Sequence, residues 1–224
     1  MLQAVLFDFN GVIVDDEHLQ YSSEMEALAA DGVHITEAQY YERYLGLDDE
    51  AFFRAVLADH GRPASGELLR RVMARKVEVY LGYLDGGTRL FPGVAALARA
   101  LAARYPLAIC SGAPRREIEA VLDVAGLAHC FAHIATFEDV PAGKPDPAVF
   151  LEGMRRLGGA APALTTAGCL VIEDSPRGVA AARAAGMACL AVTTSSDAGE
   201  LAAATRVVQS LADVSVADLE ALVA

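Results

Sequence analysis

The chain has 224 residues, of which 54% are hydrophobic and 21% are charged. This length and composition are typical of a globular protein with a full apolar core, and they exclude an intrinsically disordered chain. The formal charge of −12 at pH 7 argues against a nucleic-acid-binding surface, because binding a polyanion depends on clustered Lys and Arg side chains. An anionic substrate must therefore be bound by a local group of cations, and the sequence contains only two lysines, Lys76 and Lys144.

The first residues and the cysteines bear on the compartment. Met1 leads into a short apolar run without a basic segment, and no stretch approaches the ~18 apolar residues needed to cross a bilayer. The four cysteines lie far apart, without the close spacing of a zinc site. We expect a cytoplasmic protein without membrane attachment, as a monomer or a small homo-oligomer.

Short apolar runs recur along the chain and predict buried strands at 4–9, 107–110, 133–136, 169–172, 188–192 and 206–208. Amphipathic stretches with helical spacing follow them at 93–104, 114–125, 146–157, 176–185, 200–204 and 216–223. Strands that alternate with helices predict an α/β fold, with a mainly parallel, Rossmann-like sheet covered on both faces.

The segment 15–85 interrupts this alternation. Its pattern is helical, with turn signals at Asp31-Gly32, at Gly46 and between His60 and Pro63. We expect an all-helical cap domain at 15–85, inserted into a core domain formed by 1–14 and 86–224. Because the insertion follows the first strand, the cap would cover the carboxyl ends of the strands, where open α/β sheets place their ligands.

Side chains able to carry chemistry stand at strand ends or before a helix: Asp8, Ser111 with Gly112, Lys144, and the pair Glu173-Asp174. A hydroxyl, a glycine amide and a compact cation bind phosphate oxygens, and paired carboxylates are hard ligands of the kind Mg²⁺ prefers. Each feature alone has an ordinary alternative, as a helix cap or a solvated charge. Together they predict a site for phosphate and Mg²⁺ at one edge of the sheet.

This set, in its order and spacing, resembles the haloacid dehalogenase superfamily, in the subgroup whose helical cap follows the first strand. The resemblance covers essentially the whole chain. It implies that Asp8 attacks phosphorus to form an aspartyl phosphate, while Ser111 and Lys144 hold the phosphoryl oxygens. The implied activity is hydrolysis of a small phosphorylated metabolite, through an enzyme that uses Mg²⁺.

The resemblance also implies the metal ligands. Asp8, Asp174 and the main-chain carbonyl of Asn10 would bind Mg²⁺, and Glu173 would assist directly or through water. A dehalogenase is the weaker interpretation, because such relatives do not use the acidic pair that this chain has at Glu173-Asp174.

Asn10 departs from the superfamily pattern, in which an Asp two residues after the nucleophile acts as general acid and base. Asn cannot exchange a proton in that role, which typically contributes ~10²–10⁴ in rate. Four explanations remain open: a slow phosphatase that uses water or another residue, a protein that has lost catalysis, an introduced Asp→Asn change, and an enzyme whose substrate needs no such acid. His18 is the best-suited replacement base, with Glu17 and Asp16 beside it, and its alternative is a plain surface position.

Two cap cations, Arg43 and Lys76, are candidates for substrate binding, although each also fits a solvated helix face. In sugar-phosphate mutases of the subgroup a cap Lys and a cap Arg hold a second phosphate, so a mutase is an alternative function. Against a mutase, the position of the usual cap His is Gln20 in this chain. A catalytically silent protein that still binds phosphate and Mg²⁺ is a further alternative.

Overall fold

The computed structural model of the protein describes residues 1–158 and 164–223. The predicted core domain also includes 159–163 and 224, which lie outside the described residues. The strands of the described part are β1 (Ala4–Phe7), β2 (Leu107–Ser111), β3 (His133–Thr136), β4 (Cys169–Glu173), β5 (Ala188–Val192) and β6 (Arg206–Val208). They form one sheet in the order β3-β2-β1-β4-β5-β6, and each of these neighbouring pairs is parallel. The predicted α/β, Rossmann-like fold is confirmed.

Strand β1 lies in the middle of the sheet and determines where the site is built. Phe7, its last residue, is in register with Ile109 of β2 and with Ile172 of β4. All three strands are fully buried, as expected for apolar runs inside a parallel sheet. The residue after Phe7 therefore lies at the carboxyl edge, between the ends of two neighbouring strands.

Helices cover both faces of this sheet: α5 (Val94–Ala102), α6 (Arg115–Ala125), α7 (Ala148–Leu157), α8 (Pro176–Ala184) and α9 (Val216–Glu220). Alternate residues of β1 enter different apolar clusters, because successive strand side chains point to opposite faces. Val5 and Phe7 join the cluster that contains residues of α5, α6 and α9, whereas Ala4 and Leu6 join the cluster that contains residues of α7 and α8.

Four helices lie between β1 and α5: α1 (Glu17–Ala29), α2 (Glu37–Arg43), α3 (Asp49–Asp59) and α4 (Glu67–Tyr83). Their buried apolar side chains form a third cluster, in which Phe52 packs edge-to-face against Tyr40, Tyr44 and Phe53. The inserted segment thus has an apolar core of its own, and its boundaries at 15 and 85 stay a prediction. No helix of the described residues has both the length and the apolar composition that crossing a bilayer requires.

The predicted helix at 200–204 is wrong, since these residues form turns and a bend. The backbone N–H groups of Ala202 and Ala204 donate to the carbonyls of Gly199 and Leu201, three residues earlier, which is the pattern of successive turns rather than of an α-helix. Leu201 is fully buried, which accounts for the apolar signal that resembled a helix face.

Candidate active site

Asp8 lies at the carboxyl end of β1, where its backbone N–H donates to the carbonyl of Ile172 at 2.9 Å. The ammonium of Lys144 is 2.8 Å from Oδ1 of Asp8 and 2.6 Å from Oε1 of Glu173. The fold therefore brings together a carboxylate at the end of β1, a carboxylate at the end of β4 and one of the two lysines. Burial alone would lower the pKa of Lys144, but the charges of Asp8 and Glu173 raise it above its ordinary value, so Lys144 is a cation.

Glu173 is fully buried and held in place by many donors. Its Oε2 accepts hydrogen bonds from the backbone N–H of Asp174 at 2.9 Å, and from the N–H and hydroxyl of Ser175 at 3.0 Å each. Burial opposes its ionisation, but Lys144 and these donors hold the pKa of Glu173 below its ordinary value. Both oxygens of this anion are thus engaged by protein groups.

Asp8, Glu173 and Asp174 form a group of carboxylates whose nearest oxygens all lie within 4.8 Å of one another. Burial, followed by the charges of Glu173 and Asp8, raises the pKa of Asp174 well above its ordinary value. A divalent cation would relieve this repulsion, and carboxylate oxygens are the ligands that hard divalent ions prefer. A side chain at Gly11, which has a φ of +75°, would overlap the carboxylate of Asp174, so the close approach requires glycine. These residues fit a bound metal ion.

Ser111 and Gly112 lie on the same edge, after β2. Ser111 is 2% exposed, and its Oγ accepts the N–H of Ala113 at 3.1 Å. Asp48 from the inserted helices packs against this loop, since a Cβ at Gly112 would lie 3.1 Å from the Cβ of Asp48 and one at Gly143 would overlap its carboxylate. Sequence reasoning gave Asp48 no role, and its one local signal is the N-cap of α3, where Oδ1 accepts the N–H of Ala51 at 2.9 Å.

The side chain of Asn10 contacts Asp16. Its amide nitrogen lies 3.0 Å from Oδ1 and 3.1 Å from Oδ2 of Asp16 and donates to both. Asp16 is 2% exposed, and it also accepts hydrogen bonds from the amide of Gln20 at 3.0 Å and from the hydroxyl of Tyr80. The side-chain amide of Asn10 therefore donates its hydrogen bonds to a buried carboxylate.

A cleft of about 190 Å³ lies between the sheet edge and the inserted helices. Its core side is formed by residues that include Asp8, Asn10, Ser111, Gly112, Lys144 and Asp174. The inserted helices contribute Glu17, Gln20, Glu24, Tyr40, Asp48 and Asp49, among others. Two more contributors, Arg177 and Ser195, carry no motif in the sequence, and Arg177 reaches the site by donating to the backbone carbonyl of Lys144.

Three predicted substrate contacts, at His18, Arg43 and Lys76, are not supported by the positions of these residues. His18 is exposed on α1, because Glu17, Gln20 and Glu24 share the face of that helix that lines the cleft. Arg43 is exposed and pairs with Asp59 at 2.7 Å.

Lys76, in contrast, is fully buried and outside the cleft. Its ammonium is 2.8 Å from Oε2 of Glu117 on α6 and 2.9 Å from Oδ2 of Asp49 on α3. Its charge therefore joins the inserted helices to the core rather than facing a ligand.

Known proteins resemble this chain in sequence. It is 30% identical over 192 residues to hexitol phosphatase B of Escherichia coli (strain K12), a match that covers 84% of this chain and 82% of that protein. It is also 29% identical over 219 residues to the chloroplastic 5-amino-6-(5-phospho-D-ribitylamino)uracil phosphatase of Arabidopsis thaliana, covering 97% of this chain. The chain spans 57% of the length of that plant protein.

A solved structure is similar in fold over 98% of this chain. It is a mutant of CbbY from Rhodobacter sphaeroides, with one aspartate replaced by asparagine, in complex with xylulose-(1,5)bisphosphate. The two structures superpose with a TM-score of 0.86 at 25% identity, covering 98% of this chain and 99% of that one.

Residues 2–186 match the family of haloacid dehalogenase-like hydrolases, which is well over half of the chain. The match includes Asp8, Ser111, Lys144 and the Glu173-Asp174 pair, on which the resemblance rested. The predicted family is confirmed, and the chain belongs to the haloacid dehalogenase-like hydrolases.

Proposed function

We propose that this hydrolase is a Mg²⁺-dependent phosphatase of a small phosphate monoester, a sugar phosphate or a related metabolite phosphate. The observation that carries the proposal is the contact of Lys144 with both Asp8 and Glu173 at the base of the cleft. A cation that bridges the nucleophile to a fixed carboxylate is placed to bind the phosphoryl group that Asp8 attacks. The similarity to hexitol phosphatase B supports a phosphorylated metabolite as the substrate.

In the first half of the reaction, a carboxylate oxygen of Asp8 attacks phosphorus, and the bond between phosphorus and the leaving oxygen breaks. Ser111, the N–H of Gly112 and Lys144 bind the phosphoryl oxygens, and the leaving oxygen takes up a proton to become an alcohol. Water then attacks phosphorus, the bond to Asp8 breaks, and inorganic phosphate is released with the nucleophile restored.

The carboxylates of Asp8 and Asp174, with the backbone carbonyl of Asn10, are the groups that would hold the metal. Glu173, whose oxygens are already engaged, would act on it through water. Bound Mg²⁺ supplies positive charge that offsets the charge of the phosphoryl group. During the reaction, residues 15–85 would act as a cap that excludes water from the cleft.

Proton transfer is the weak part of this site. The Asn10 amide cannot exchange a proton, and its N–H groups point to Asp16. The protons of both half-reactions must then pass through water or another cleft residue, so we expect slow turnover. The same feature favours the second candidate, a protein that binds phosphate esters and Mg²⁺ without hydrolysing them.

Release of inorganic phosphate from a panel of phosphorylated metabolites, with Mg²⁺ and with a chelator, tests the proposal. If the protein is a phosphatase, phosphate release should need Mg²⁺ and should be lost in the Asp8→Asn variant. Binding of the same esters without any phosphate release supports the silent protein instead. Phosphate release that Asp8→Asn leaves unchanged would contradict the proposed nucleophile.

A further inference from the structure

The cap half of the cleft is acidic. Four of its lining residues carry carboxyl groups: Glu17, Glu24, Asp48 and Asp49. Among the described residues that line the cleft, the cationic side chains are Lys144 and Arg177, and both come from the core side. A ligand that fills the cleft therefore meets cations at its phosphate end and carboxyl groups at its other end.

Lys76 lies near these carboxyl groups but is not among the described residues that line the cleft. Lys76 is 0% exposed, and its ammonium lies between Asp49 and Glu117 at 2.9 and 2.8 Å. The single ammonium of Lys76 is thus paired with two carboxylates outside the cleft. Among the described residues its ion pairs are with Asp49 and Glu117 and not with Glu17, Glu24 or Asp48, although its charge partly opposes the rise in the pKa of Glu24.

Glu24 provides an independent sign that a ligand group is expected here. It is 5% exposed and lines the cleft, and its Oε2 has no hydrogen-bond partner among the described residues. The hydroxyl of Tyr40 donates to Glu17 at 2.8 Å and also lies close to Glu24, so a single hydroxyl serves two carboxyl groups. A buried polar atom without a hydrogen-bond partner is unfavourable, so a ligand group that hydrogen-bonds Oε2 of Glu24 is favoured at this place.

The surroundings of Glu24 favour positive charge or donors over negative charge. Burial, followed by the charge of Asp49, holds the pKa of Glu24 well above its ordinary value. A phosphate or carboxylate placed beside it would add to the same negative potential. The aromatic rings of Tyr40, Tyr44 and Phe52 also line this half, and they offer apolar faces to the carbon skeleton of a ligand.

We propose that the cap half of the cleft is a subsite for hydrogen-bond donors, and that the alcohol released from the substrate carries hydroxyl or ammonium groups and no second phosphate or carboxylate. This inference rests on the proposed phosphatase function, because it assigns the phosphate end to Asp8 and Lys144. A sugar-phosphate mutase would need a cation in the cap half to hold a second phosphate, and the described residues of the inserted helices that line the cleft include no lysine or arginine.

Four phosphate esters with similar hexose skeletons test the subsite. Glucose 6-phosphate offers hydroxyls, glucosamine 6-phosphate adds an ammonium group, 6-phosphogluconate adds a carboxylate, and glucose 1,6-bisphosphate adds a phosphate. We expect kcat/KM for the first two to exceed that for the last two by about tenfold or more, the size of one unfavourable charge contact. The ratio between the first two identifies hydroxyl or ammonium as the preferred donor.

Binding of the same esters to Asp8→Asn is measured beside turnover. If no ester is hydrolysed but the binding order holds, the phosphatase proposal fails and the subsite stands. If esters are hydrolysed and the anionic pair is used as well as the others, the subsite proposal is overturned and the phosphatase stands. If none of the four binds, the subsite is overturned as well, and binding of inorganic phosphate then tests the phosphate end alone.

Glu24→Gln tests the residue itself, because it keeps the shape and cannot take up the negative charge that a cationic ligand group would stabilise. We expect the preference for glucosamine 6-phosphate over glucose 1,6-bisphosphate to fall by about tenfold, as for one charged hydrogen bond. Glu26→Gln is the matched control on the same helix, since Glu26 is exposed and accepts the hydroxyl of Tyr83 at 3.1 Å. Asp48→Asn, which keeps the N-cap of α3, gives a second variant in case Glu24→Gln is unstable. An unchanged preference in folded Glu24→Gln and in Asp48→Asn would overturn the inference.

Discussion

The side-chain amide of Asn10 donates to both carboxylate oxygens of Asp16, at 3.0 and 3.1 Å. Asp16 is buried, and two further donors, from Gln20 and Tyr80, complete its hydrogen bonds. An aspartate at position 10 would place a second carboxylate at this distance from Asp16. Two carboxylates in such contact do not both ionise.

The contact between Asn10 and Asp16 predicts what happens when an aspartate is introduced at position 10. Asn10→Asp alone should raise turnover little, because the new carboxyl shares a proton with Asp16. Asn10→Asp combined with Asp16→Asn should exceed it by about tenfold, since the acid is then free to exchange protons with the leaving oxygen and with water. The check is kcat on one substrate across pH for both variants, with Asp16→Asn alone as the control. A single variant as fast as the double variant would show that Asp16 does not restrain position 10.

Lys76 should matter for stability far more than an exposed cation. Lys76→Met leaves Asp49 and Glu117 buried with no counter-ion, and breaking a buried pair in this way typically costs about 3–5 kcal/mol. Arg43→Met removes an exposed ion pair with Asp59 and should cost at most about 1 kcal/mol. Urea unfolding of both variants measures the difference in free energy. Equal losses would contradict the role of Lys76 as the charge that joins the inserted helices to α6.

Gly178 should be needed for the metal site. A Cβ at this position would overlap Oε1 of Glu173, so Gly178→Ala must displace that carboxylate. We expect Mg²⁺ affinity to fall by about 10–100-fold, the usual effect of disturbing groups that orient metal ligands. Gly82→Ala is the matched helical control, because a Cβ there meets nothing within 4 Å and should stabilise α4 by up to about 1 kcal/mol. Calorimetric Mg²⁺ titration compares the two, and unchanged affinity in Gly178→Ala would contradict the prediction.

Mg²⁺ binding should depend on pH. Burial raises the pKa of Asp8 to about 6, although Lys144 acts in the opposite direction. Below this pH the metal-free carboxyl holds a proton that Mg²⁺ must displace, so affinity should fall as the pH drops through about 6 and be highest above it. Titrations near pH 6 in two buffers of different ionisation enthalpy report the released protons. Heats that do not depend on the buffer would contradict the raised pKa.

The fold could be predicted because its signals are local. Apolar runs identified the strands, and the α/β alternation determined that their carboxyl ends meet at one edge. Asp8, Ser111, Glu173 and Asp174 follow from that geometry, since each stands at a strand end, and Lys144 lies in the loop that precedes α7. Their placement therefore needed only the order of elements along the chain.

Contacts between distant segments could not be predicted in the same way. Lys76 appeared as a free cation because its partners, Asp49 and Glu117, lie far away in the sequence. His18 appeared suitable because a charge pattern does not show which face of α1 meets the cleft. The hydrogen bonds from Asn10 to Asp16 depend on the path of the loop between β1 and α1. No sequence motif predicts that path.

The central claim is that Asp8 becomes phosphorylated during turnover. Since Asn10 cannot accept a proton from the attacking water, hydrolysis of the aspartyl phosphate should be the slow step. Rapid quenching in acid after mixing with a hydrolysed substrate and Mg²⁺, followed by peptide mass mapping, measures this directly. The account predicts a phosphoryl group on Asp8, removable by hydroxylamine and absent from Asp8→Asn. Release of phosphate with no phosphorylated Asp8, or with the phosphoryl group on another residue, would contradict it.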